Sequence, residues 1–229
     1  MIAMKITIKT LLMLSLISSL CTPSLWAENL WSVDFAGKSG DASSWLKQNK
    51  FKLDRDAEDI EVSFQKGRLV FATDDETLGL FNKAVDLKGV QKIRIHWGVL
   101  QYPKGADWEA GNLREPISFV LTFGTKKIDS GSFAVPDVPY FISFFLGEKE
   151  QDNKAYRGNY YKKGGRYFCT PCNNPKGKTV VTEVDVASLY KKEFGQSSVP
   201  AITGLTIEID TRDTKGISSS FIEKIELIP

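Results

Sequence analysis

Three groups of side chains in this sequence could do chemistry. The first is acidic. Asp107 and Glu109 flank Trp108 in GADWEAG, and Asp210 follows much later in IEIDTRDTKG. Paired carboxylates serve glycoside chemistry as proton donor and as base or nucleophile, so these three are the candidate catalytic residues. Two carboxylates on one loop are equally ordinary solvated charge, because spacing in sequence does not fix spacing in space. Asp210, Asp213 and Thr214 also make a candidate Ca²⁺ set, since that ion takes six to eight oxygens. Asp-rich turns arise too because Asp side chains bond their own backbone amides. With Arg212 and Lys215 adding positive charge to this loop, the turn is the favoured reading. No cofactor is called for, and a structural Ca²⁺ is the one considered.

The second group is aromatic. Trp108, Tyr160, Tyr161 and Tyr167, with Tyr102 and Tyr156, fall in segments rich in Lys, Arg and Gly. Sugar rings present apolar C–H faces that stack on such rings while nearby polar groups bond their hydroxyls. Arg166 with Lys162 and Lys163 would favour an acidic glycan. The same tyrosines could instead pack over the edges of a sheet with their hydroxyls in water. Trp108, Tyr160, Tyr161, Arg166 and Tyr167 are therefore the candidate ligand-binding residues.

The third group is Cys169 and Cys172 in CTPC. Redox exchange asks for such a pair at a helix N-terminus, where the thiolate is stabilised. NNPKGK follows here and cannot start a helix, so a structural disulfide is expected. His96 is the sole histidine, which excludes a multi-histidine metal site. No serine lies in a G-x-S-x-G elbow, so nothing supports a hydrolytic triad.

The elements that must position these groups are mostly strands. Ile93, Ile95, Trp97 and Val99 alternate with Lys92, Arg94, His96 and Gly98, the period of a half-buried strand. ISFVLTF repeats the pattern with Ile117, Phe119, Leu121 and Phe123. TGLTIEID does so with Leu205, Ile207 and Ile209 inward and Thr206 and Glu208 outward. Shorter β-rich runs cover 30–35, 68–73, 79–85, 140–146, 179–184 and 219–228. KKGG between Tyr160–Tyr161 and Arg166–Phe168 reads as a hairpin turn. Two helices are expected, DASSWLKQN from Asp41 and DVASLYKKEF from Asp185, each opened by an Asp cap. The expected fold is all-β, an antiparallel two-sheet β-sandwich of jelly-roll or galactose-binding-like type with one or two short helices.

The chain has 229 residues, 42% hydrophobic, 25% charged and 11% aromatic, which excludes disordered, collagen-like and coiled-coil classes. Residues 1–27 have the layout of a secretory signal peptide: Lys5 and Lys9, an apolar run from Thr10 to Cys21, then Pro23 and Ala27. The run is too short to span a membrane, and no later segment is a transmembrane candidate. Residues 28–229 then form one domain of an exported protein, periplasmic or secreted. Without Lys5 and Lys9, 28 basic residues balance 28 acidic ones. Nothing in that balance favours nucleic acid.

Several segments resemble the bacterial exported family labelled domain of unknown function 3047. They are HWGV at His96–Val99, GADWEAG with the strand after it, DVASLYKKEFG, ITGLTIEIDTRDT and the closing FIEKIELIP. The chain departs from that pattern at Leu113–Arg114–Glu115, where paired aspartates are expected, and at Arg212, where an acid is more usual. The resemblance implies a galactose-binding-like or jelly-roll sandwich and no established activity. The leading functional expectation is a non-catalytic sandwich module whose partner is a carbohydrate or cell-envelope component. A glycan-active hydrolase or lyase on the same scaffold is the alternative, and an envelope scaffold or assembly protein the second alternative. Oligomeric state is not legible.

Overall fold

Strands that alternate apolar and polar residues must cover their apolar face, and here two sheets cover each other. The computed structural model describes residues 29–229, so the expected signal peptide at 1–27 lies outside the described residues. The strands are β1 (Trp31–Asp34), β2 (Lys52–Arg55), β3 (Glu61–Gln65), β4 (Arg68–Thr73), β5 (Leu78–Leu87), β6 (Lys92–Gln101) and β7 (Glu115–Ile128). They continue as β8 (Val138–Phe145), β9 (Ala155–Tyr156), β10 (Gly165–Cys169), β11 (Val180–Asp185), β12 (Ile202–Asp210) and β13 (Ser218–Ile228). One sheet runs β11-β6-β13-β4-β3, with β1 also on β13; the other runs β2-β5-β12-β7-β8-β10-β9.

The alternation sets what fills the space between the sheets. Ile93, Ile95, Trp97 and Val99 of β6 face Ile117, Phe119, Leu121 and Phe123 of β7 and Leu205, Ile207 and Ile209 of β12 in one core. Trp97 and Ile207 are fully buried, and the Trp97 indole N–H donates to Thr182 Oγ1 at 2.9 Å. Helices α1 (Ala42–Gln48) and α2 (Val186–Phe194) start at the expected caps, Asp41 and Asp185, whose side chains accept from backbone amides. Helix α2 ends at Gly195 in the left-handed conformation, and Tyr190 packs on Phe123 with ring centroids 4.6 Å apart.

The structure departs from the sequence reading in two places. The sheets are not wholly antiparallel, because β10 runs parallel to β8. The hairpin around KKGG does not form: Tyr160 and Tyr161 lie in a loop, and β10 takes β8 and β9 as its neighbours. The two glycines serve close packing. A Cβ on Gly165 would come within 2.4 Å of the Phe141 ring, and one on Gly164 within 2.9 Å of Ile128.

Candidate functional site

The outward face of the second sheet carries the site. Along β12, Thr206, Glu208 and Asp210 alternate with the inward Leu205, Ile207 and Ile209, so Glu208 and Asp210 share the outer face. The neighbouring strand β7 would ordinarily turn Glu115 inward, in phase with Ile117. It does not, because the register shifts: Glu208 pairs with Ser118, but Asp210 pairs with Glu115. Two steps along β12 thus oppose three along β7, a β-bulge that moves Glu115 to the outer face beside Asp210. Three carboxyl groups from two strands meet there.

The β6–β7 loop lays Trp108 over this floor. Its ring stacks on Phe145 at 5.0 Å and meets Tyr167 at 4.8 Å and Tyr156 at 5.8 Å. These residues, with Cys169 and Cys172, make a second small hydrophobic cluster outside the inter-sheet core. The two cysteines are disulfide-bonded, as their spacing led us to expect. Polar tethers hold the loop down. Trp108 N donates to Glu150 Oε1 at 3.0 Å, Lys149 pairs with Asp107 at 3.3 Å, and Lys154 pairs with Glu109 at 2.6 Å. The Trp108 indole N–H donates to Glu115 Oε2 at 3.1 Å.

Between this cluster and the loop at 158–161 opens a cleft of about 360 Å³. Its walls are Trp108, Tyr160, Tyr161 and Tyr167, and its floor includes Glu115, Glu208 and Asp210. Tyr160 is about half exposed. Tyr161 has φ +55°, a left-handed conformation that costs a bulky residue free energy. It is held there by its N–H to Ser130 O at 2.9 Å and by its carbonyl, which accepts from Gly164 and Gly165.

The acids of the floor differ in their surroundings. Asp210 is gripped by Arg212, whose Nε and Nη2 lie 3.0 and 2.7 Å from its two oxygens, and Arg114 Nε stands 3.5 Å away. Among the described residues Glu208 has as hydrogen-bond partner only the Ser118 hydroxyl, at 3.4 Å. Burial, then the nearby Asp210 charge, push the Glu208 carboxyl up to about 7. Burial pushes Glu115 well above the usual carboxylate range, with Glu208 and Asp210 adding to the effect. Burial also raises the Tyr167 phenol, so it stays a donor at neutral pH. The site can therefore offer neutral acids, a paired carboxylate and aromatic faces within one hollow.

No family model matches this chain, and no curated protein matches it. Among solved structures it is similar to the potassium-bound carbohydrate recognition domain of Emp46p, at 13% identity and TM-score 0.47, covering 88% of this chain and 98% of that one. A tyrosine-to-phenylalanine mutant of that domain gives 16% identity and TM-score 0.47, covering 89% and 98%. An agarase, AgWH50C, gives 8% identity and TM-score 0.32, covering 86% of this chain and 25% of that one. At these TM-scores the likenesses bear on neither ligand nor activity.

The candidate residues separate on this geometry. The cleft gathers Trp108, Tyr160, Tyr161, Tyr167 and Asp210. It does not include Arg166, which is buried and turned to α2, where it pairs with Glu193 at 3.3 Å and lies 5.2 Å from the Phe194 ring. Asp107 and Glu109 tether the Trp108 loop instead of joining the floor. Trp108, Tyr102 and Tyr156 are all buried, and of the three Trp108 alone lines the cleft. Asp213 pairs with Arg114, and the Thr214 hydroxyl donates to Thr211 O at 2.5 Å, so both build the turn. Among the described residues no group of three or more His, Cys, Asp or Glu side chains is arranged to hold a metal ion. His96 lies on the first sheet, in a hollow with Asp34 and Glu223, where it cannot serve this cleft. Glu115 and Glu208 escaped the sequence reading as site residues. Glu208 was legible as an outward acid two residues before Asp210; Glu115 required the bulge.

Proposed function

We propose that the protein is an exported module that binds a glycan in the cleft over β7 and β12. One observation carries this reading. Trp108, Tyr160, Tyr161 and Tyr167 wall a cleft whose floor offers carboxyl groups and the Arg212 guanidinium. That is the combination a sugar needs, apolar ring faces for its C–H surface and polar groups for its hydroxyls. Export rests on the residues before Glu28, and no helix among the described residues is long and apolar enough to cross a membrane. A glycan array probed with wild type, Tyr160→Ala and Glu208→Gln tests the reading. Binding to a defined glycan, reduced about tenfold or more by Tyr160→Ala, supports it. No bound glycan, or binding indifferent to both substitutions, overturns it.

A second reading is favoured by the contrast between Glu208 and Asp210. A carboxyl held up to about 7 beside an ion-paired one is the division of labour that glycoside hydrolysis uses. In this reading Glu208 protonates the leaving oxygen and Asp210 activates the water. Release of reducing ends from the glycan that binds, abolished by Glu208→Gln with binding retained, supports it. Binding with no release leaves the module non-catalytic.

A further inference from the structure

The surface does not stop at the cleft mouth. Asn159, which lines the cleft, also lines a hollow of about 240 Å³ bordered by Lys162, Lys163 and Asp129–Gly131 of the β7–β8 loop. Both lysines are exposed. Ion pairs engage other cations nearby in sequence, Lys154 with Glu109, Arg166 with Glu193 and Lys176 with Glu148. Among the described residues Lys162 and Lys163 are left without one. Exposed Arg157 adds a third cation and donates to the Lys162 carbonyl at 3.1 Å. Asp129 is the one carboxylate lining the hollow, and it accepts from Gly131 N at 2.8 Å.

The hollow is built on a braced loop. Ser130 N donates to Asp137 Oδ1 at 2.9 Å and Ser130 Oγ to Val135 O at 2.6 Å. Tyr161, a wall of the cleft, ties this loop down through its hydroxyl, which donates to Pro136 O at 2.7 Å. One tyrosine therefore fixes the cleft and the hollow relative to each other. At the tip of the same loop Phe133 is fully exposed and lines an adjoining hollow that shares Asp129 and Gly131 with this one.

We propose that this hollow is a second subsite of one groove, taking an anionic sugar unit, carboxylated or sulfated, of a glycan whose adjoining unit occupies the cleft. The inference rests on the cleft being a glycan site. Charge sets the register. Arg212 and Arg114 at the cleft are already engaged by Asp210, so the cleft floor offers a second anion no unpaired cation, whereas two unpaired ammonium groups attract one next door. The chain selected is thus one that alternates anionic and uncharged units, and Phe133 offers a stacking face beyond the anionic unit.

Native affinity electrophoresis through four polymers tests this. Hyaluronan alternates a carboxylated with an uncharged sugar, and κ-carrageenan a sulfated with an uncharged one; carboxyl-reduced hyaluronan and desulfated κ-carrageenan are their uncharged counterparts. Wild type should be retarded by at least one of the anionic polymers, and which one tells carboxylate from sulfate. Lys162→Ala/Lys163→Ala, at two exposed positions outside any core, should weaken that retardation about 5- to 10-fold and leave any retardation by the uncharged counterpart unchanged. Tyr160→Ala should weaken both. Absence of retardation by both anionic polymers, or a double-lysine variant that binds them like wild type, overturns the subsite. Retardation by uncharged polymers alone, sensitive to Tyr160→Ala, overturns the subsite and leaves the cleft reading standing. Failure on all four polymers overturns the subsite, and the cleft reading is then decided by the glycan array.

Discussion

The protein buries aromatic side chains in two regions by different means. Between the sheets, Trp97, Phe119, Phe123 and Phe144 lie among aliphatic side chains with almost no exposed surface. Hydrophobic burial keeps them there, with the Trp97 N–H satisfied by Thr182, and strand alternation put them there. On the outer face of the second sheet, Trp108, Phe145 and Tyr156 form a much smaller cluster with the disulfide. Its edge is polar: Glu115 and Glu150 accept hydrogen bonds from Trp108 of the loop it anchors, and the loop's own Glu109 accepts one from the Tyr156 hydroxyl. A closed core fixes the fold but has nothing to offer a ligand. An open cluster holds loops just firmly enough to leave a cleft beside it, and it leaves raised-pKa acids at the cleft floor. Both clusters exclude water, and the difference lies in the polar groups that border the second one, which each prediction below probes.

The largest expected effect is in the inter-sheet core. Trp97→Ala should destabilise the protein by about 3–5 kcal/mol in chemical denaturation, since it opens a closed space and removes the donor to Thr182. Trp108→Ala should cost less, about 2 kcal/mol, because a cluster at the surface can collapse around the loss. It should also abolish glycan binding. Equal costs at the two positions would merge the regions energetically. Reduction of Cys169–Cys172, which are three residues apart in sequence, should lower stability by about 2 kcal/mol on loop-closure grounds. A larger loss would mean the disulfide supports the main core too.

Titration separates the regions as well. With Glu208 held up to about 7 against a normal 4.5, the folded protein between those pH values keeps a proton that the unfolded chain has released. Stability should therefore fall as pH rises through that window, and the raised Glu115 contributes a fall of the same sign. Glu208→Gln should remove part of the fall and stabilise the protein at pH 8 by on the order of 1 kcal/mol, read from thermal melts at pH 5 and pH 8. A flat profile in wild type would show the cleft floor to be well solvated. The smallest stability effect belongs to Tyr160→Ala, within about 0.5 kcal/mol for an exposed side chain, alongside its large loss of glycan binding. A stability loss comparable to that of Trp108→Ala would place Tyr160 in the packed cluster.

Much of the scaffold was legible in the chain. Trp97 and Ile207 were expected inward and are, because side-chain alternation is a property of consecutive residues. The caps Asp41 and Asp185 were legible for the same reason. The short strands β2, β3 and β9 were not, since four or five residues, or two, give no period to count. KKGG misled because its glycines serve contacts with Phe141 and Ile128, far away in sequence. Of the site, the aromatic residues Trp108, Tyr160, Tyr161 and Tyr167 could be picked out by type, while Arg166 could not be excluded without α2 in view.

By itself, then, the sequence determined the two-layer β architecture, the helix starts and the disulfide, all of which follow from local periodicity and spacing. Only the tertiary structure decided which polar groups meet. The bulge opposite Asp210 turns Glu115 outward, and the tethered loop sets Trp108 over it. The β7–β8 loop, clamped by Tyr161, sets Lys162 and Lys163 beside the cleft. Each of these depends on register between strands and on hydrogen bonds between segments distant in the chain. No local pattern encodes such contacts, because their free energy exists only once both partners are folded.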